Sequence, residues 1–200
     1  MNFLAHLYLS DDDPEAMVGN LVADFVKGPA VELLPPGVQA GVRQHRAVDA
    51  FTDRHPAVMR SVARIGKSWG WFSGILIDVY YDHILARDWG RYAEVPLRAF
   101  VDRAHGVIRE HADSMPEEAR GYALRFVESD RMMSYAEADG SGVEEALRRL
   151  SDRIAARMPK RAVPLQTAMP DLRAAHRELA ADFHEFFPDA IRLAAGWRRG

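Results

Sequence analysis

The sequence predicts an all-α fold, a compact multi-helix single domain over residues 1–200, and three observations carry that prediction. Apolar residues recur at i, i+3, i+4 and i+7 along most of the chain, the period of a half-buried helix. Prolines stand where such segments begin and glycines where several should end. The Asp139-Gly140 pair lies between helical patterns rather than alternating ones, and no internal repeat or low-complexity tract is present.

Taken in order, His6 lies on a short apolar helix at the N-terminus. Asp11-Asp12-Asp13-Pro14 reads as an N-cap with proline in the first turn. Met17, Val18, Leu21, Val22, Phe25 and Val26 follow at helical spacing, with Gly28 expected to end that helix. Pro35-Pro36-Gly37 starts a long helix whose inner face would carry Val38, Val42, His45, Asp49 and Thr52. His55-Pro56 marks the next boundary and Trp69-Gly70-Trp71 a corner. Phe72 to Trp89 is rich in β-formers, but its length favours a helix over a strand. Pro96 and Pro116 open two further helices, ending near His111 and Glu128. Val143–Met158 is well patterned, 159–170 is the most linker-like stretch, and Pro170-Asp171 starts a last helix that Pro188 should kink or restart. The expected total is roughly seven to nine helices.

Composition narrows the chemistry. The 26 Lys+Arg and 29 Asp+Glu give a net charge of −3, which argues against general nucleic-acid binding. No apolar run approaches the roughly 20 residues that span a bilayer, and the N-terminus lacks a signal-peptide pattern, so no membrane association is expected. The absence of cysteine excludes a disulfide framework, thiolate metal sites and a thiol nucleophile, and its simplest reading is a cytoplasmic chain. HExxH, Glu-x-x-His, Walker A and G-x-S-x-G patterns are absent. What remains is histidine and carboxylate chemistry, which suits hard or borderline divalent metals.

Those residues concentrate in the first 90 positions. Asn20 and Asp24, His45 and Asp49, and Asp78 and Asp82 (with His83 adjacent) are each four apart. Such residues lie about 40° apart around a helix axis, so each pair can enter one pocket. One such pair is ordinarily a solvated helix face, and a lone His6 ordinarily a core histidine. Three pairs in one half of the chain, with Asp24 and Asp78 among apolar neighbours, make a stronger case, because a buried carboxylate needs a charge or metal to compensate it. His105, His111, His176 and His184 are expected on exposed charged faces.

The residues also form three ordered motifs. Asn2-Phe3-Leu4-Ala5-His6-Leu7-Tyr8-Leu9-Ser10 precedes Gly19-Asn20-Leu21-Val22-Ala23-Asp24-Phe25-Val26-Lys27-Gly28. His45-Arg46-x-x-Asp49-x-x-Thr52-Asp53 and Asp78-x-x-x-Asp82-His83 follow. Over essentially its full length the chain resembles the bacterial acyl carrier protein phosphodiesterases, also called holo-acyl-carrier-protein hydrolases. The resemblance implies an unusual helical variant of the HD phosphatase/phosphodiesterase fold. It implies release of 4′-phosphopantetheine from holo-acyl carrier protein, dependent on Mn²⁺ (or Mg²⁺ or another divalent ion). No histidine here is followed directly by aspartate, so an HD dipeptide does not mark the ligands.

On this reading Asp24, His45, Asp49 and Asp78 are the expected metal ligands, with Asp82 an alternate or supporting group. A metal neutralises an anionic diester and activates water. His83 or His6 is the expected general acid for the serine leaving group, Arg46 the holder of a phosphate oxygen, and Asn20 an orienting group. The protein half of the substrate is acidic, so its docking face should be basic. Residues 36–70 carry six basic and two acidic side chains, net +4, while the remainder is −7. Within them Arg60, Arg64 and Lys67 form one helical stripe. A second stripe, Arg149, Arg153, Arg157 and Lys160, competes for that role. The competing readings are an HD-type phosphohydrolase acting on a small nucleotide or phosphoester, and a non-catalytic helical module that binds an acidic protein.

Overall fold

Residues 1–11 and 13–197 are described by a computed structural model, so Asp12 of the expected cap and residues 198–200 lie outside the described residues. Among the described residues there are eleven α-helices, several short 3-10 turns and no strand. No helix is long and apolar enough to cross a membrane.

The first helix, α1 (Phe3–Leu9), is too short to persist alone, and its N-cap residue Asn2 makes no side-chain cap bond. Asp82, from the distant α5 (Ser73–Arg87), supplies the cap instead. Its two carboxylate oxygens accept the Leu4 and Ala5 N–H groups at 2.8 and 3.0 Å. A carboxylate at a helix N-terminus satisfies orphan donors and complements the helix dipole. This contact fixes the orientation of α1 and therefore of His6.

Asp13 caps α2 (Pro14–Val22), accepting from Glu15 N and Ala16 N. The chain then crosses over to α3 (Pro36–Thr52), the helix with which α2 makes its most extensive contact. Ala16 lies beside Gly41, Asn20 bonds Gln44, and Asp24 meets His45, so the two helices run parallel. They approach closely through Gly19 and Gly41. A Cβ on Gly41 would lie 2.5 Å from the Ala16 carbonyl oxygen and 2.9 Å from Gly19 Cα.

His55 caps α4 (Pro56–Trp69), which turns at Gly70, where φ is +51°, into α5. Next come α6 (Leu97–Glu110), α7 (Glu117–Glu128), the single-turn α8 (Arg131–Ser134) and α9 (Ser141–Arg157). The chain closes with α10 (Met169–Ala174) and α11 (His176–Trp197). Phe183, Phe186 and Phe187 of α11 are fully buried, and α11 packs on α3, α4 and α5. The molecule is one all-α domain around one apolar core.

Several sequence expectations shift. The second helix ends at Val22 rather than near Gly28, and Gly28 opens a 3-10 turn at φ +55°. Long-range contacts take the chain off the helix: Arg46 Nη2 donates to the Val26 carbonyl at 2.8 Å, and Phe25 packs on Tyr122. The 159–170 stretch is no free linker, because Leu165 and Ala168 are fully buried and Leu165 N donates to Ser151 Oγ. The terminal helical region breaks at Ala175, while α11 continues through Pro188. Side chains on both sides of that proline, Phe186, Phe187 and Ala190, are buried in the core. His105 is buried, and His111, His176 and His184 are half-buried, rather than exposed.

Candidate metal centre

Three helices and one turn bring the centre together. His6 comes from α1, His45 and Asp49 from α3, Asp78 from α5, and Asp24 from the turn after α2. The Nε2 atoms of both histidines converge on one carboxylate: His6 is 3.0 Å from Asp49 Oδ1 and His45 is 3.1 Å from Asp49 Oδ2. His45 Nε2 also lies 3.6 Å from Asp24 Oδ1. The two imidazoles stack with centroids 3.8 Å apart. The Met1 amine bridges Asp49 and Asp78 at 3.3 and 3.2 Å, so a cation already stands between these carboxylates.

The environment polarises the pair. Burial, reinforced by the charge of His45, lowers the His6 pKa to about 4. Burial also acts downward on His45, but hydrogen bonds to Asp24 and Asp49 outweigh it and raise this imidazole to about 9. Burial pushes Asp49 upward, yet its bonds to His45 and His6, with the Met1 charge, hold it well below the usual carboxylate range. Asp78 moves the other way, raised by burial that the Met1 amine only partly offsets.

A divalent ion suits this arrangement. One donor atom from each of His6, His45 and Asp49 lies within 4.8 Å of the others. The Nδ1 atoms of both histidines are buried without a hydrogen-bond partner. These are not the nitrogens that meet Asp49, so the fit to an ion rests on the Nε2 and carboxylate donors. Mixed imidazole and carboxylate donors match borderline and hard divalent ions.

Most of the other expected site residues fall elsewhere. Asp24 reaches the centre but is not on the helix of Asn20, and its side chain is 68% exposed rather than buried. Asn20 faces α3, where its amide donates to Gln44 Oε1 and the Ala16 carbonyl; Gln44 in turn donates to the Leu9 carbonyl. Asp82 caps α1 and does not join the cluster. Arg46 is tied to Val26. His83 donates through Nδ1 to the Tyr135 carbonyl at 2.7 Å and lines a separate cavity with Tyr80, Arg173 and His176. The expected docking stripe is engaged internally: Arg60 pairs with Asp182 at 2.9 Å and Glu185 at 2.5 Å, and Arg64 lies 3.9 Å from Asp182. Lys67 is exposed.

A cavity of about 1000 Å³ opens beside the centre, lined by His6, Asp24, His45 and Asp78. Arg125, Arg131, Arg149, Arg153 and Arg157 line the same space, together with the ring of Tyr122. The competing α9 stripe, not the α4 stripe, therefore borders the candidate centre. Arg131 and Tyr122 were not singled out by the sequence. Arg131 sits on a one-turn helix with no spacing pattern to mark it.

Comparison with known proteins shows the family. The sequence profile of the family described as acyl carrier protein phosphodiesterase matches residues 1–190. A protein of that name from Pectobacterium atrosepticum is 33% identical over 195 residues, 97% of each chain. One from Photorhabdus laumondii is 30% identical, covering 97% of this chain and 95% of its own. One from Salmonella agona is 32% identical over 98% of each. No solved structure matches. A profile match over residues 1–190 and relatives of this identity and coverage show that the chain belongs to the acyl carrier protein phosphodiesterase family.

Proposed function

We propose that this protein hydrolyses the phosphodiester joining 4′-phosphopantetheine to the serine of holo-acyl carrier protein, with a divalent metal, Mn²⁺ foremost, at the His6–His45–Asp49 centre. The observation that carries the reading is the convergence of two buried imidazoles on one carboxylate, at the edge of an arginine-lined cavity. His6, His45 and Asp49 would hold the ion, with Asp24 and Asp78 completing the set. When bound, the ion supplies Lewis-acid neutralisation of the diester and lowers the pKa of water. An HD-type frame and a cytoplasmic location belong to the same reading.

The chain's own residues do the rest. Asp82 fixes α1 so that His6 meets His45. Arg131 is half-buried at the cavity, its Nε without a partner, and takes the phosphate-holding role that the sequence suggested for Arg46. Guanidinium donors suit phosphoryl oxygens in paired geometry. His83, turned toward Tyr135, leaves the proton-transfer role to the cluster.

The test is a mass measurement on holo-acyl carrier protein with and without Mn²⁺. Loss of the phosphopantetheine mass only with metal is expected. Asp49→Asn and His45→Ala should each retain helical circular dichroism, lose stoichiometric metal and lower hydrolysis by more than about 100-fold, beyond the usual effect of changing a group that only supports a ligand. Full activity in either variant overturns the assignment of the centre.

A further inference from the structure

The arginines of the cavity are not equivalent. Arg149 pairs with Glu145 at 2.6 Å and Arg157 with Glu118 at 3.1 Å. Arg125 of α7, Arg131 of α8 and Arg153 of α9 make no ion pair with a carboxylate among the described residues. Tyr122 lies beneath two of them, with the guanidinium carbons of Arg131 and Arg153 at 5.7 and 5.4 Å from its ring. A ring face partly offsets such charges but does not neutralise them. Arg125 and Arg153 are exposed, whereas Arg131 is half-buried.

Charge counting decides what these groups are for. A phosphodiester carries a single negative charge, which Arg131 and the metal centre already address. Two exposed guanidiniums remain beside the cavity without an acidic partner. The α4 stripe differs, because α11 already supplies its acids. We propose that Arg125 and Arg153, on the rim formed by α7 and α9, dock an acidic face of the protein substrate and so present its diester to the centre. This inference rests on the carrier-protein reading above. It names the surface that meets the protein half of the substrate. Complementary charge at such a rim steers encounter and fixes orientation, and it weakens with salt.

Apo-acyl carrier protein lacks the diester and isolates the docking step. Its binding to the full-length protein, loaded with Mn²⁺, can be followed by calorimetry at low and high salt. The double variant Arg125→Gln/Arg153→Gln should bind apo-carrier protein about tenfold more weakly at low salt, with a shallower salt dependence. With holo-carrier protein, KM should rise while kcat stays near the starting value. Arg153→Lys, which keeps the charge, should retain most of the affinity. An unchanged melting temperature certifies the fold, since both side chains are exposed. Unchanged apo-carrier binding overturns the proposal: if holo kinetics alone suffer, these arginines hold the diester, and if neither changes, docking occurs elsewhere. Wild-type protein that binds apo-carrier through these arginines but leaves holo-carrier intact would overturn the reaction and keep the docking surface. Wild-type protein that does not bind carrier overturns the docking surface itself.

Discussion

Asp82 and Asp49 are the same residue type, yet their surroundings drive them in opposite directions. Asp49 gathers two imidazoles and an amine and is held ionised. Asp82 is fully buried, and burial outweighs the Leu4 and Ala5 N–H groups to raise its pKa to about 7. Raising the folded-state value above the ordinary 3.8 sets the sign of the effect on stability. The contribution of Asp82 is fully present below about pH 4 and is lost as pH rises through about 7. Asp82→Asn should therefore flatten the decline in melting temperature between those values. An identical slope in variant and wild type would show that Asp82 does not titrate there. The variant should also lower metal affinity by about 10- to 100-fold, because a residue that orients a ligand acts through it. Metal titration by calorimetry reads that effect separately from stability.

The two elements that matter most to the centre are α2 and α3. Their parallel contact sets Asp24 against His45, and it exists only because Gly19 and Gly41 let the backbones approach. Gly41→Ala should force the helices apart and cost about 1–3 kcal/mol, the usual range for overpacking a tight contact. The same displacement draws Asp24 away from His45, so hydrolysis should fall more than the folded fraction does. Activity that simply tracks the folded fraction in urea would uncouple the contact from the centre. The helices themselves were legible in the sequence, since Pro14, Pro36 and Pro56 start α2, α3 and α4 where expected. The end of α2 was not. It depends on Arg46 reaching Val26 and on Phe25 meeting Tyr122, contacts that join residues 20 and 97 positions apart and leave no local pattern.

Across the whole molecule, charge is arranged by contact rather than by segment. The +4 of residues 36–70 does not make a free basic face, because α11 brings Asp182 and Glu185 to Arg60. Asp182 also accepts from Ser61 Oγ at 3.0 Å, and Tyr81 OH donates to that same Ser61 oxygen. Asp182→Ala leaves the buried Ser61 hydroxyl without its acceptor and should destabilise the protein by about 1–3 kcal/mol, read by urea denaturation. Arg60→Glu should lower the melting temperature and leave carrier-protein association unchanged. Weaker association without a change in melting temperature would restore the α4 stripe as the docking face.

The sequence by itself determined the class of fold and the chemistry open to this protein. Helical period and proline placement are local properties, and the lack of cysteine left only carboxylate and imidazole to hold a metal. Spacing also marked His45 with Asp49, since residues four apart on one helix share a face whatever surrounds them. Only the tertiary structure decided which candidates meet. His6 joins the centre because Asp82 caps its helix, and Asp82 and Asn20 are thereby turned to support. His83 is drawn to Tyr135, and the uncompensated arginines stand on α7, α8 and α9 rather than α4. The physical reason is common to all of these. A side chain's role follows from the charges and donors it meets, and those arrive from parts of the chain that the local sequence does not specify.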